Sequence, residues 1–82
     1  MPTVMRFAGL RVVVYPNDHR PAHVHVMGGG NEAVFDLNCP GGPATIRENY
    51  GFGQREVARI EAALNDAVSG LCREWRAIHG DT

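Results

Sequence analysis

The apolar residues of this 82-residue chain change period once, near Gly53, and that change constrains the fold more than any other feature. Before it, hydrophobic and polar residues alternate, most clearly in His23-Val24-His25-Val26 and again from Glu32 to Leu37. Successive side chains of a strand point to opposite faces, so a period of two describes strands with one buried face. After it, Val57, Ile60, Leu64, Val68, Leu71, Trp75 and Ile78 recur at steps of three and four. Such spacing sets all seven on one stripe of a helix. The sequence therefore predicts strands within residues 3–50 and one long C-terminal α-helix over 54–79. Gly80 is placed to end that helix. Gly70 lies inside it and weakens it by about 1 kcal/mol relative to Ala, so it marks a place for a bend.

Turn chemistry divides the first half. Pro16 to Pro21, Gly28 to Asn31 and Asn38 to Pro43 are rich in Pro, Gly and Asx residues. Between them stand β-compatible runs at Thr3–Phe7, Leu10–Tyr15, His23–Val26 and Glu32–Leu37, with a last short one at Ala44–Tyr50. The expected architecture is α+β in two layers: an antiparallel sheet of three to five strands packed on one long helix. At this length residues 1–82 form a single domain. So small a core leaves little stability in reserve, which makes a homodimer an expectation.

Composition narrows the function classes. Hydrophobic residues at 44 % and charged residues at 21 % fit a folded chain. A net charge of −1 disfavours a strongly basic nucleic-acid domain, while leaving room for RNA contact through a local patch. Met1-Pro-Thr-Val lacks the basic start and apolar core of a secretory signal. No apolar run approaches the ~18 residues that a membrane span needs. The expectation is a cytoplasmic protein without membrane contact, with Cys39 and Cys72 as reduced thiols. A disulfide between them is left open without a motif to support it, and the close spacing of a two-Cys zinc site is lacking.

Parity then locates a candidate site. If Val24 and Val26 face the helix, His23 and His25 face away from it. Directly paired residues share a face, so Val24 belongs opposite Phe35, which sets His23 across from Asp36 and His25 across from Val34. A matching hairpin before it would pair Val14 with Val24 and bring Tyr15 across from His23. Arg11 falls further along the same face. The outer surface thus collects His23, His25, Asp36, Glu32, Tyr15 and Arg11, overhung at one end by the loop Asn17-Asp18-His19-Arg20. Three of the four histidines lie within seven residues.

Three readings compete for this face. In the first, His23 and His25, with His19 nearby, act as general acid and base in metal-independent RNA cleavage, because imidazole titrates near neutral pH. Asp36 would orient a ring, Arg11 or Arg20 would stabilise the charge of the transition state, and Tyr15 and Glu32 would line the substrate's path. In the second, His23 and His25 chelate a divalent metal. Strand positions two apart sit about 6.5–7 Å apart on one face, and His19, Asp18 or Asp36 would complete the set. In the third, the rings are solvated or structural. Elsewhere the bland reading is preferred: Trp75 belongs to the core, the helix arginines to a solvated face interleaved with glutamates, and Gly28–Gly30 to a hairpin turn, since no Gly-Lys-Ser/Thr follows.

At these residues the chain resembles a known family. Arg6 and Gly9, then Tyr15-Pro-Asn-Asp-His-Arg-Pro-Ala-His-Val-His-Val26, then Glu32-Ala33, Gly51-Phe-Gly53, Glu56 and Trp75 are similar to the small bacterial family called domain of unknown function 4160. The resemblance spans nearly the whole chain. It implies membership of a two-gene, toxin–antitoxin-like module whose partner is a small cognate protein from a neighbouring gene. It carries over His19, His23 and His25 as candidate site residues, with Asn17 and Asp18 as loop organisers. Gly53 stands where the family has Ser or Thr, which predicts weaker helix initiation because no side-chain acceptor caps the first turn.

Overall fold

A computed structural model describes residues 3–80. Five strands, β1 (Thr3–Phe7), β2 (Leu10–Val13), β3 (His23–Gly28), β4 (Asn31–Asp36) and β5 (Thr45–Tyr50), precede two helices, α1 (Gln54–Asp66) and α2 (Val68–His79). The strands form one antiparallel sheet in the order β1-β2-β3-β4-β5. Two of its turns explain the tight meander. Ala8 and Gly9 between Phe7 and Leu10, and Gly29 and Gly30 between Gly28 and Asn31, all have positive φ. Two consecutive positive-φ residues make the type I′ turn, whose twist matches that of the flanking strands.

The expected registers hold. Val24 pairs with Phe35, His23 with Asp36 and His25 with Val34. Val12 pairs with Val26 and Val13 with His25, and extending that register brings Val14 opposite Val24. One face of the sheet, carrying Val12, Val14, Val24, Val26, Ala33 and Phe35, packs against Ile60, Leu64, Val68, Leu71 and Trp75 of the helices. Burying side chains of this kind stabilises the fold by roughly 1.5–3 kcal/mol each. Both edge strands carry register shifts, β1 near Met5 and β5 beside Val34–Phe35, and irregular edges resist pairing with other chains.

Two expectations are corrected. The C-terminal helix is not continuous: it breaks at Ala67 (φ −117°, ψ 8°), three residues before Gly70. Asn65 and Asp66, both weak helix formers, precede the break, and Asn65 Oδ1 accepts a 2.7 Å hydrogen bond from the Ala44 backbone. The tether to the chain entering β5 anchors the end of α1, while the apolar stripe continues in phase across the break and so conceals it. The second correction concerns the cysteines. Cys39, in the loop after β4, and Cys72, in α2, form a disulfide. Closing a loop over a separation of 33 residues contributes about 3–4 kcal/mol in the chain-entropy description. The cysteines lie far apart in sequence and meet only because α2 packs back over the exit of β4.

The start of α1 shows how Gly53 is accommodated. Glu56 Oε1 accepts from the Gly53 backbone N–H at 3.2 Å, and no side chain caps the helix from Gly53 itself. Half of a capping box is present, as the glycine requires. No helix among the described residues is long and apolar enough to cross a membrane.

A histidine–carboxylate centre at the end of the sheet

Tyr15 and Asp18 close a turn, with Asp18 N–H donating to Tyr15 O at 3.0 Å. Pro16 occupies its second position, where the fixed φ of proline suits such turns. Asp18 Oδ2 in return accepts from the Tyr15 N–H at 3.3 Å. This turn folds Asp18 back over the start of β3. There the same Oδ2 lies 3.3 Å from His23 Nε2 and 3.2 Å from His25 Nε2. The two rings stand edge to face, 5.3 Å between centroids. Parity therefore does bring them together, and Asp18 is the carboxylate between them.

The outer atoms of each ring are also engaged. His23 Nδ1 lies 2.8 Å from the Pro21 carbonyl, which can only accept, so Nδ1 carries the proton. A neutral His23 consequently presents an Nε2 lone pair to Asp18. His25 sits between two carboxylates, with Nδ1 3.3 Å from Glu32 Oε2 and Nε2 3.2 Å from Asp18 Oδ2. A neutral ring has one N–H, so one of its nitrogens must face an acceptor. With that N–H given to Glu32, both Nε2 lone pairs converge on one carboxylate oxygen. Ligand atoms of Asp18, His23 and His25 all lie within 4.8 Å of one another. Acceptors gathered in this way call for positive charge between them, supplied by protons or by a metal ion.

Burial strengthens that demand. His23 is 5 % exposed, and its ring rests 5.2 Å from that of Trp75 in α2. Facing away from Val24 does not leave this ring open to solvent, because at the end of the sheet it meets both the Tyr15–Pro21 loop and helix α2. Tyr15 adds an edge contact to His25 at 4.6 Å between centroids. Trp75 is buried as expected, and it is stacked on its other neighbour, His79, at 3.7 Å.

The remaining candidates disperse. Asp36, though paired with His23 along the backbone, turns its carboxylate to an ion pair with Arg47 and not to a ring. His19 is exposed in the loop just after the turn and is not one of the three residues whose ligand atoms converge. Arg20 is exposed and lines a groove beside α2 with Ala22, Cys39, Cys72, Trp75 and Arg76. Arg11 lies further along the outer face, where its guanidinium donates to Met27 Sδ at 3.4 Å. Tyr15 and Glu32 belong to the centre as neighbours of His25. Sequence reasoning understated Asp18, which both organises the loop and meets the two rings. The proline-led return of the Tyr15–Asp18 turn was the signal for it. Nothing in the sequence pattern pointed to Trp75 as the wall behind His23.

Residues 9–76 match the family described as Domain of unknown function (DUF4160). The chain belongs to that family. The matched span contains the whole histidine–carboxylate centre, both cysteines and Trp75. No curated protein and no solved structure matches the chain.

Proposed function

We propose that this member of the DUF4160 family is a divalent-metal-binding module, with Asp18 and the Nε2 atoms of His23 and His25 as ligands. The observation that carries the reading is the arrangement behind the ligands. Metal-ligating histidines characteristically give their second N–H to a carbonyl or a carboxylate, which fixes the tautomer and aims the free lone pair. His23 has the Pro21 carbonyl for this purpose and His25 has Glu32. Two imidazoles and one carboxylate suit zinc or another first-row ion and leave coordination positions for water or substrate.

In the cell we place the module in the cytoplasm, as one member of a toxin–antitoxin-like pair with a small cognate protein. A bound ion would supply water activation or polarisation of a phosphoryl oxygen if RNA is the target. Metal-independent acid–base cleavage draws less support. Acid and base in an in-line displacement must reach opposite sides of the phosphorus, whereas here both Nε2 atoms converge on one oxygen and His23 is buried.

Elemental analysis and equilibrium dialysis with zinc test the reading. One ion per chain, lost in Asp18→Asn and in His25→Ala, is the expected result. A chain that binds no ion would overturn it. Cleavage of labelled RNA that survives chelation and vanishes in His23→Ala and His25→Ala would restore the acid–base alternative.

A further inference from the structure

Helix α2 reaches the centre through Trp75 and is stapled through Cys72 to the loop after β4, and the two lie on the same stretch of helix. Cys72 and Trp75 are three residues apart, hence neighbours on one helix face. Both are buried. Cys72 is bonded to Cys39, two residues beyond Leu37, whose N–H is held by the Ala22 carbonyl at 3.0 Å, immediately before His23. A short path thus closes on itself: His23, Ala22, Leu37, Cys39, Cys72, Trp75 and back to the His23 ring.

Helix α2 is held here by Leu71 and Trp75, which pack into the core on either side of Cys72, and by the disulfide itself. It has 12 residues, a length at which an isolated helix is marginal, and its N-terminus has no side-chain cap. Cys39 is exposed and, with Cys72, lines the open groove shared with Arg20 and Ala22, so a reductant can reach the bond.

Resting on the metal-binding reading, we infer that the Cys39–Cys72 bond regulates the centre: the disulfide form holds Trp75 against His23 and binds metal tightly, and the dithiol form binds it weakly. A cellular dithiol would supply two electrons and two protons, becoming a disulfide itself while Cys39 and Cys72 become thiols. Disulfides in reducing compartments are characteristically transient and redox-sensing, which suits an accessible bond beside a ligand.

The test is cobalt affinity, read from the d–d absorption of the bound ion, in the oxidised protein and in the Cys39→Ser/Cys72→Ser double variant, which offers no thiolate to the metal. The double variant is expected to bind about tenfold more weakly, the scale on which outer partners of a metal site act. Equal affinity in two folded proteins would overturn the inference and leave the metal reading standing. If the double variant does not fold, Trp75→Leu in the disulfide-bonded protein decides, with weaker binding expected and unchanged binding overturning the coupling. If the oxidised protein binds no cobalt, the metal reading itself fails. A His23 ring NMR signal that still differs between the two forms would then show that the contact exists without a metal to regulate.

Discussion

Two carboxylates stand at the same end of the outer sheet face and meet opposite fates. Asp36 lies beside Arg47, which reaches across from β5 and matches its charge. Asp18 meets two imidazoles with too few N–H groups to go round: His23 gives its N–H to Pro21, and His25 has one N–H for two carboxylates, Asp18 and Glu32. The first pair is complete within the chain. At the second, acceptor faces acceptor unless a cation is added. A charged cluster therefore reads as a structural pair or as a binding site according to whether its donors are already committed, and residue type alone does not distinguish the two.

The largest expected effect breaks the second cluster. Asp18→Asn should lower metal affinity by at least about 100-fold, since it removes a ligand and not merely an outer partner. The same change should leave the metal-free protein as stable as before, or raise its stability by about 1 kcal/mol, because an amide N–H can donate to an imidazole lone pair. Thermal denaturation without metal checks the second half. A clear loss of stability would mean that Asp18 already has its donors in the metal-free protein, and the contrast with Asp36 would vanish.

Glu32→Gln is the intermediate case. It keeps an acceptor for His25 Nδ1 but removes the charge behind the ring, so affinity should fall about tenfold, measured by competition with a chromophoric chelator. An unchanged constant would place Glu32 outside the centre.

On the other side of the comparison, Asp36→Asn should cost no more than about 1 kcal/mol of stability, because its ion pair with Arg47 is partly solvated, and should leave metal affinity unaltered. Loss of metal binding there would return Asp36 to the site.

The smallest effect lies at the β5 edge. Tyr50 donates to Glu48 Oε1 at 3.0 Å, and this bond, together with the negative charge of Glu48, raises the phenol above its ordinary 10.0. The native state then holds its proton more firmly than the unfolded chain does. The resulting contribution to stability is present below the ordinary phenol value and fades as pH rises through the raised one. Ultraviolet titration of Glu48→Gln should find the phenol lower than in the parent chain, and an unshifted curve would remove Glu48 as the cause.

Hairpin register and the shared side of both histidines were legible because each rests on local periodicity, and a slip by one residue would expose the valines, whereas the strand count was legible only as three to five. The helix break was not legible, since the stripe from Val57 to Ile78 runs through Ala67 without losing phase. Within the site, His23, His25, Tyr15 and Glu32 were placed together by strand pairing, whereas Asp36 was placed by the same logic and turned away. Pairing fixes which backbone positions are neighbours, and a flexible carboxylate then goes to the strongest available donor, here Arg47 on a strand whose register shift no pattern announced.

What the amino-acid order determined alone is the alternation that buries Val24 and Val26, and with it the shared side of His23 and His25. What only the tertiary structure decided is the company those rings keep. Asp18 arrives on a turn, Trp75 on a helix that has broken and packed back, and Cys39 meets Cys72 across the same junction. These contacts join residues distant along the chain, and they depend on how whole elements pack, which short-range periodicity does not encode.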